Sequence, residues 1–361
     1  MGKLRAGILG ATGMVGQKFV KHLAEHPWFE VVSVAASARS AGRTYAESVV
    51  DRWTMDIPIP IGIGKLMVKE VEKDIDAIGK EVDLVFCALD MDKDATRKLE
   101  DEYARREVVV VSANSAHRWT PDVPMLIPEI NAEHLQIIPV QRRRLGTRYG
   151  FVTVKPNCSL QPYVPAIEAL AEFVPLRASV CTYQAISGAG KTFRTWPEME
   201  DNIIPFIGGE EDKSVREPLK IWGRIEGERI VEASGPVISA QCLRVPVSDG
   251  HLAAVSVSFG KKPPKDGILS RWAAFTGKPQ ELQLPSAPTP FLRYFAEDNR
   301  PQTRLDRDAG NGMAVTLGRL REDNLFDYKF VALSHNTVRG AAGGAILTAE
   351  LLKAEGYLDR T

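Results

Sequence analysis

Leu4-Arg5-Ala6-Gly7-Ile8-Leu9 runs directly into Gly10-Ala11-Thr12-Gly13-Met14-Val15-Gly16, and this stretch decides the fold. Leu4–Leu9 is a short apolar run that predicts a buried strand. From Met14 to Glu25 the apolar residues Val15, Phe19, Val20 and Leu23 recur at helical spacing, which predicts a helix with one buried face. The glycines between them permit a tight turn, close backbone approach to a pyrophosphate, and tight packing of helix on strand. The first N–H groups of the helix and its positive dipole end point to the same place. The spacing is GxxGxxG rather than GxGxxG, so a structural turn competes with a phosphate site. Its position at the first strand–helix junction favours the phosphate site.

The pattern continues outward from that turn. Val31–Ala36, Leu84–Leu89 and Val108–Val111 predict further buried strands, and Asp94–Arg105 predicts a helix between the last two. Strand–helix alternation with near-continuous Val, Ile and Leu strands implies an α/β, doubly wound parallel sheet covered on both faces. Phe151–Lys155, Ala178–Gln184, Ala240–Val245 and Ala253–Phe259 also predict strands, several of them alternating in polarity. Asn157–Glu172 and Lys213–Trp222 predict helices. Fewer helices per strand imply an α+β unit with a mostly antiparallel sheet. Arg142-Arg143-Arg144 fits a solvated connector. In Asn336–Glu355 the apolar Ile346, Leu347, Leu351 and Leu352 predict a terminal helix that docks on another element.

The chain has 361 residues, which at about 150 per domain suggests two domains. Lys plus Arg and Asp plus Glu number 46 each, so the net charge is zero and a nucleic-acid or anionic-membrane binder is disfavoured. Four scattered cysteines, Cys87, Cys158, Cys181 and Cys242, with no CxxC pair, offer neither a disulfide framework nor a zinc site. Met1-Gly2-Lys3-Leu4-Arg5 leads straight into a strand without a secretory signal, and Ala6 breaks the myristoylation pattern. No apolar run approaches the roughly 18 residues of a membrane span. A cytoplasmic protein without a metal is the expectation.

The second strand ends in Ser37-Ala38-Arg39-Ser40. An NAD site places an acid about 20 residues after the glycine turn. Here an arginine between two serines suits a 2′-phosphate by charge and by hydroxyl donors, so NADP is expected. Ser187-Gly188-Ala189-Gly190-Lys191-Thr192 imitates a triphosphate loop, but GxxxxGK[ST] needs glycine where Ala185 stands.

Lys155-Pro156-Asn157-Cys158-Ser159 closes a strand and begins a predicted helix. A thiol at a helix N-terminus is expected to have a lowered pKa, which singles out Cys158 as a nucleophile; a structural thiol is the alternative. Cys87, Cys181 and Cys242 sit within predicted strands. Among the six histidines His251 stands out, because Asp249-Gly250 can turn it into a cleft between two strands; a turn-capping histidine is the alternative. His22, His26, His117 and His134 have ordinary helix or loop settings, and His335 could cap the terminal helix.

Taken together these motifs resemble aspartate-semialdehyde dehydrogenases of the archaeal and fungal-type branch. The resemblance covers nearly the whole chain. It is carried by GATGMVG, SARSAG, SANSAHRW at Ser112–Trp119, KPNCS, QAISGAGKT at Gln184–Thr192, IGGEEDK at Ile207–Lys213, RVPVSDGH at Arg244–His251, and HNTVRGAAGG at His335–Gly344. It implies a Rossmann-like NADP-binding domain of residues 1–155 plus 336–361, a catalytic and dimerisation domain of residues 156–335, and a terminal helix that returns to the first. It implies Cys158 as the nucleophile that forms an acyl-thioester, His251 as acid/base, and Gln184 as the residue orienting the reacting group. Arg244 would clamp the substrate carboxylate, a task suited to a guanidinium fork. Glu210 and Lys213 would receive the amine and the phosphate, with Glu211 an alternative to Glu210. Asn114, Arg118 and Asn157 would line the site, and Ser187, Gly188 and Asn336 would lie near the nicotinamide.

The implied reaction is NADPH-dependent reductive dephosphorylation of L-aspartyl 4-phosphate to L-aspartate 4-semialdehyde, in the biosynthesis of lysine, threonine, methionine and isoleucine. A homodimer or homotetramer is implied. Malonyl-CoA reductase shares the HNTVRGAAGG segment and the cysteine logic, but KPNCS and Arg244-Val245-Pro246-Val247 fit the aspartate enzyme better. N-acetyl-glutamyl-phosphate reductase and glyceraldehyde-3-phosphate dehydrogenase match the motifs less well. A catalytically silent NADP-binding sensor is a different class, and the presence of nucleophile, base and carboxylate clamp together argues against it.

Overall fold

The computed structural model describes residues 2–360. Six strands form the first sheet: β1 (Leu4–Leu9), β2 (Phe29–Ala36), β3 (Val68–Glu70), β4 (Leu84–Cys87), β5 (Val109–Ser112) and β6 (Phe151–Val154). Their order is β3-β2-β1-β4-β5-β6 and every pairing is parallel. The sheet therefore reverses direction of growth beside β1, so the Gly10–Gly16 turn sits at the switch point where such sheets bind ligands. The helix Met14–Leu23 follows that turn and buries Phe19, Val20 and Leu23 against the sheet. Phe151–Lys155, read with the strands of the middle, is instead the edge strand β6 of the first sheet.

The second sheet begins with β7 (Pro175–Gln184). A small hairpin of β8 (Arg224–Glu226) and β9 (Arg229–Val231) follows, and the sheet resumes with β10 (Val237–Arg244), β11 (His251–Phe259), β12 (Leu292–Phe295), β13 (Val315–Glu322) and β14 (Tyr328–Ser334). The order is β10-β7-β11-β14-β13-β12. The three central pairings are antiparallel, and the two edge pairings, β10 with β7 and β13 with β12, are parallel.

Two expectations need correction here. Asn157–Glu172 is not one helix: a short 3-10 turn, Cys158–Leu160, is followed by an α-helix over Val164–Glu168 and another 3-10 turn over Ala171–Phe173. Pro162 and Pro165 explain the break, because each lacks an N–H donor and crowds the preceding turn. The helix predicted from Lys213 starts three residues earlier and runs Glu210–Ile221, which places Glu210 in its first turn.

The chain ends with one π-turn, Val338–Ala342, and the helix Gly343–Ala354. Ile346, Leu347, Leu351 and Leu352 are at most 1% exposed and share a core with β1, β5 and the helix Met14–Leu23. Every residue from Gly343 to Leu352 is buried, so the helix is enclosed on all sides. The terminal helix thus returns to the first sheet. Its preceding turn touches the loop of Cys158: a Cβ on Gly340 would lie 2.6 Å from Cys158 Cβ. Among the described residues no helix is long and apolar enough to cross a membrane.

Candidate active site

The C-terminal ends of β4, β5, β6, β7 and β10 open onto one cavity of about 380 Å³. Asn114, Asn157, Cys158, Gln184, Gly188, Glu210, Lys213 and Arg244 all line it. Cys158 is half-buried, and its thiol lies 3.4 Å from His251 Nε2 and donates to Asn157 Oδ1 at 3.3 Å. His251 starts β11 and is fully buried. Register explains the meeting: the end of β7 and the start of β11 are neighbours, so Gln184 and His251 emerge at the same edge. Gly188 packs on both key side chains, since a Cβ there would stand 2.9 Å from Arg244 Nη1 and 3.0 Å from His251 Cε1.

Glu210 rather than Glu211 faces the cavity. Its carboxylate accepts from Lys213 Nζ at 2.7 Å, from Asn157 Nδ2 at 2.9 Å and from Gln184 Nε2 at 3.1 Å. Burial alone would raise this carboxyl, but the Lys213 charge and these donors hold it below its usual value. Glu211 is exposed and accepts the Cys242 N–H instead. Arg244 Nη1 donates to the Ala185 carbonyl at 2.7 Å, which aims the guanidinium across the cavity.

The expected lowering of the Cys158 pKa is overturned. Burial pushes the thiol up and Glu210 pushes it further, while Lys155, Arg118 and Arg244 act in the opposite sense. The physical reason is that Cys158 opens a three-residue 3-10 turn, not a long helix, so the dipole that was to favour the thiolate is missing. Burial and the nearby Arg244 charge lower His251 to about 3, so its ring is neutral at neutral pH.

Comparison with known proteins gives the constellation its family. A family model described as the NAD-binding domain of semialdehyde dehydrogenase matches residues 5–138, and one described as its dimerisation domain matches residues 167–339. The chain is 43% identical to an aspartate-semialdehyde dehydrogenase of Archaeoglobus fulgidus over 97% of this chain and 98% of that one. The chain belongs to the aspartate-semialdehyde dehydrogenase family. It is also 41% identical to the Schizosaccharomyces pombe enzyme, over 98% of this chain and 99% of that one. Among solved structures it resembles the Candida albicans aspartate-semialdehyde dehydrogenase with NADP, at a TM-score of 0.87 and 35% identity over 99% and 100% of the two chains.

The dinucleotide site of this family member can be tested on its own geometry. Gly10 has φ +83°, and a Cβ there would lie 2.2 Å from the Ala88 carbonyl oxygen. Gly16 is equally closed, with the Gly10 oxygen 2.2 Å from its Cβ position. Gly13 is exposed, and its backbone is open to a ligand. These features fit a pyrophosphate approaching bare backbone at Thr12, Gly13, Met14 and Val15. Ser37 and Arg39 are exposed at the end of β2, and Arg39 makes no hydrogen bond or ion pair among the described residues. Ser40 differs from its expectation: it is buried, and its hydroxyl accepts from Arg52 Nη2 at 2.9 Å. Arg52 was not singled out in sequence. Asn336, expected near the nicotinamide, is buried, with its Nδ2 donating to Ser187 Oγ at 2.9 Å and its Oδ1 accepting the Gly250 N–H.

Sequence reasoning also missed the frame beneath Cys158. Glu217 accepts from Arg118 at 2.9 Å through one oxygen and from the Asn157 N–H at 2.7 Å through the other. Lys155 is buried behind the same loop, and burial with the Arg118 charge lowers its amine to about 7. Glu217 lies one helical turn after Lys213 and Lys155 opens the KPNCS motif, and only the tertiary contact gives either its place in the frame.

Proposed function

We propose that this family member catalyses NADPH-dependent reduction of L-aspartyl 4-phosphate to L-aspartate 4-semialdehyde, releasing phosphate. The observation that carries the reading is Cys158 Sγ 3.4 Å from His251 Nε2 at a cavity walled by Arg244, Glu210 and Lys213. A thiol beside an imidazole supplies covalent acyl chemistry. A guanidinium on one wall and a carboxylate with an amine on another are complementary to a substrate bearing carboxylate, ammonium and phosphate.

The Cys158 thiolate attacks the acyl carbon and phosphate leaves, giving a thioester. The Gly10–Gly16 turn, Arg39 and Ser37 would hold NADPH, which would supply the hydride. Arg244 clamps the α-carboxylate, Gln184 orients the reacting carbonyl, and Glu210 holds the substrate amine. Lys213 moves from Glu210 to the phosphate, helped by Asn114. Collapse of the thiohemiacetal at Cys158 releases the aldehyde. The product feeds synthesis of the aspartate-derived amino acids in the cytoplasm.

We divide the chain into residues 1–155 plus 336–361, which hold the cofactor, and residues 156–335, which carry the catalytic groups. The outward face of the second sheet carries Val237, Leu243 and Leu252, and this face would meet a second copy in a homodimer or a tetramer of dimers. Light scattering of the purified protein measures that state; a monomer at micromolar concentration removes the dimer.

The test of activity is the reverse assay with L-aspartate 4-semialdehyde, phosphate and NADP⁺. Phosphate-dependent NADPH formation that is lost in Cys158→Ala is expected. NADPH consumption with malonyl-CoA and no signal with the semialdehyde would transfer the chain to the other reductase.

A further inference from the structure

The helix Lys93–Arg105 connects β4 to β5, and Lys93, Thr96 and Glu100 recur along it at helical spacing. Lys93 and Thr96 line the catalytic cavity, whereas Glu100, one turn further on, is fully buried behind it. Glu100 Oε1 accepts from the Ser112 hydroxyl at 2.5 Å, and Ser112 Oγ accepts from the Asn114 N–H at 3.0 Å. A backbone N–H can only donate and a hydroxyl carries one proton, so the direction of both bonds is fixed. The relay ends at Asn114, which lines the cavity and whose Nδ2 donates to the Leu89 carbonyl at 3.0 Å. We infer that Glu100 is a positioning residue: acting through Ser112 it holds the Asn114 backbone, and thereby sets the affinity of the cavity for phosphate. The inference rests on the reading given above, in which Asn114 helps Lys213 to receive that group.

The same helix grips the loop Ala113–Arg118 at other points. Arg97 donates to the Ala116 carbonyl through Nε at 3.1 Å and Nη2 at 3.0 Å. His117 is buried, with Nδ1 2.9 Å from Thr120 Oγ1 and Nε2 3.2 Å from the Arg97 carbonyl oxygen. From the opposite side Arg118 is held by Glu217. Ala113 continues the strand pattern, its N–H donating to the Cys87 carbonyl at 2.8 Å. Among the described residues, the Asn114 N–H is reached through Ser112 alone.

Burial raises the Glu100 carboxyl to about 7, with the Ser112 hydroxyl acting in the opposite sense. Oε2 accepts no hydrogen bond among the described residues, so a proton placed there leaves Oε1 free for Ser112. What the loop requires at position 100 is therefore an acceptor oxygen, not a charge.

Three variants separate these properties. Glu100→Gln keeps a carbonyl oxygen and loses the charge. Glu100→Met keeps a similar length and loses both, and Ser112→Ala cuts the relay in its middle. Hydrogen exchange of the intact protein is followed by mass spectrometry in peptides covering residues 113–118. The released amide should exchange about tenfold faster in Glu100→Met and Ser112→Ala, the worth of one hydrogen bond, and at the wild-type rate in Glu100→Gln. Wild-type exchange in both disrupting variants overturns the inference. Fast exchange in Glu100→Gln overturns it too, because the loop would then need the charge. Kinetics of the reverse reaction supply the second arm. KM for inorganic phosphate should rise about tenfold in the two disrupting variants, with kcat and KM for NADP⁺ held, the pattern of lost uniform binding. A loss spread over all three parameters overturns the positioning role in favour of general damage. Should Glu100→Met not fold, Ser112→Ala decides. A wild type without phosphate-dependent turnover ends the dehydrogenase reading; the exchange comparison needs no turnover and then decides whether Glu100 holds the loop.

Discussion

Arg118 and Glu217 meet at 2.9 Å beneath the catalytic cavity, joining a loop that follows β5 to a helix of the second sheet. Both side chains are buried, at 8% and 1% exposure. Glu217 also anchors the Asn157 N–H, so this one carboxylate fixes the residue before Cys158.

Glu217→Gln preserves shape but leaves the Arg118 guanidinium without its counter-charge. Breaking a buried pair in this way costs about 3–5 kcal/mol. Urea unfolding should show that loss, whereas Glu322→Gln, at the exposed Lys262–Glu322 pair, should change stability by less than about 1 kcal/mol. Equal small effects would mean that water reaches the Arg118 site.

Gly188→Ala tests the packing over the catalytic side chains. The added methyl must displace Arg244 Nη1 or the His251 ring, which stand 2.9 and 3.0 Å from its position. A shift of this size at a reacting centre should lower kcat/KM by roughly 100-fold with little change in melting temperature. Wild-type kinetics in this variant would show that the loop yields without disturbing either residue.

The reactivity of Cys158 has a definite pH sign. Burial first and Glu210 second raise its thiol, so the rate of alkylation by iodoacetamide should still be climbing above about pH 8.5, the ordinary thiol value. Glu210→Gln removes a negative charge that disfavours the thiolate, so the titration should move to lower pH. A shift upward, or none, contradicts the electrostatic role of Glu210.

Arg39 is exposed and unpaired among the described residues, waiting on the side where a 2′-phosphate would sit. Arg39→Ala should raise KM for NADPH by about 10- to 100-fold, the worth of a charge-assisted hydrogen bond, and leave NADH unaffected. Parallel losses for both cofactors would assign Arg39 to the fold instead.

How far the sequence is readable varies along the chain for physical reasons. β1, the glycine turn and its helix are local structures in which period, apolarity and glycine placement agree, and their limits fall where the pattern puts them. β12, β13 and β14 escaped notice. Leu292–Phe295 is only four residues long, and Val315–Glu322 contains Gly318 and three charged residues, so pairing with β14 makes it a strand more than its own preference does. Pro162 and Pro165 announced a broken helix that the apolar spacing concealed. In the site, residues inside dense motifs were legible. Glu217 and Arg52, outside them, were not, and neither was the burial of Lys155, because nothing local separates a buried ion from a solvated one. The sign of the Cys158 shift depended on groups from four separate elements, which no local pattern contains.

The close approach of Gly340 to Cys158 ties the cysteine's loop to a turn far along the chain. The nucleophile is backed by residues made nearly two hundred positions later, and the last helix must fill the first sheet's core before that backing is in place. A chain stopped before Gly340 can contain every polar group of the cavity and still present its thiol on an unsupported loop. Activity in this molecule is therefore tied to the helix Gly343–Ala354, whose seat in the first core holds the turn behind the thiol in place.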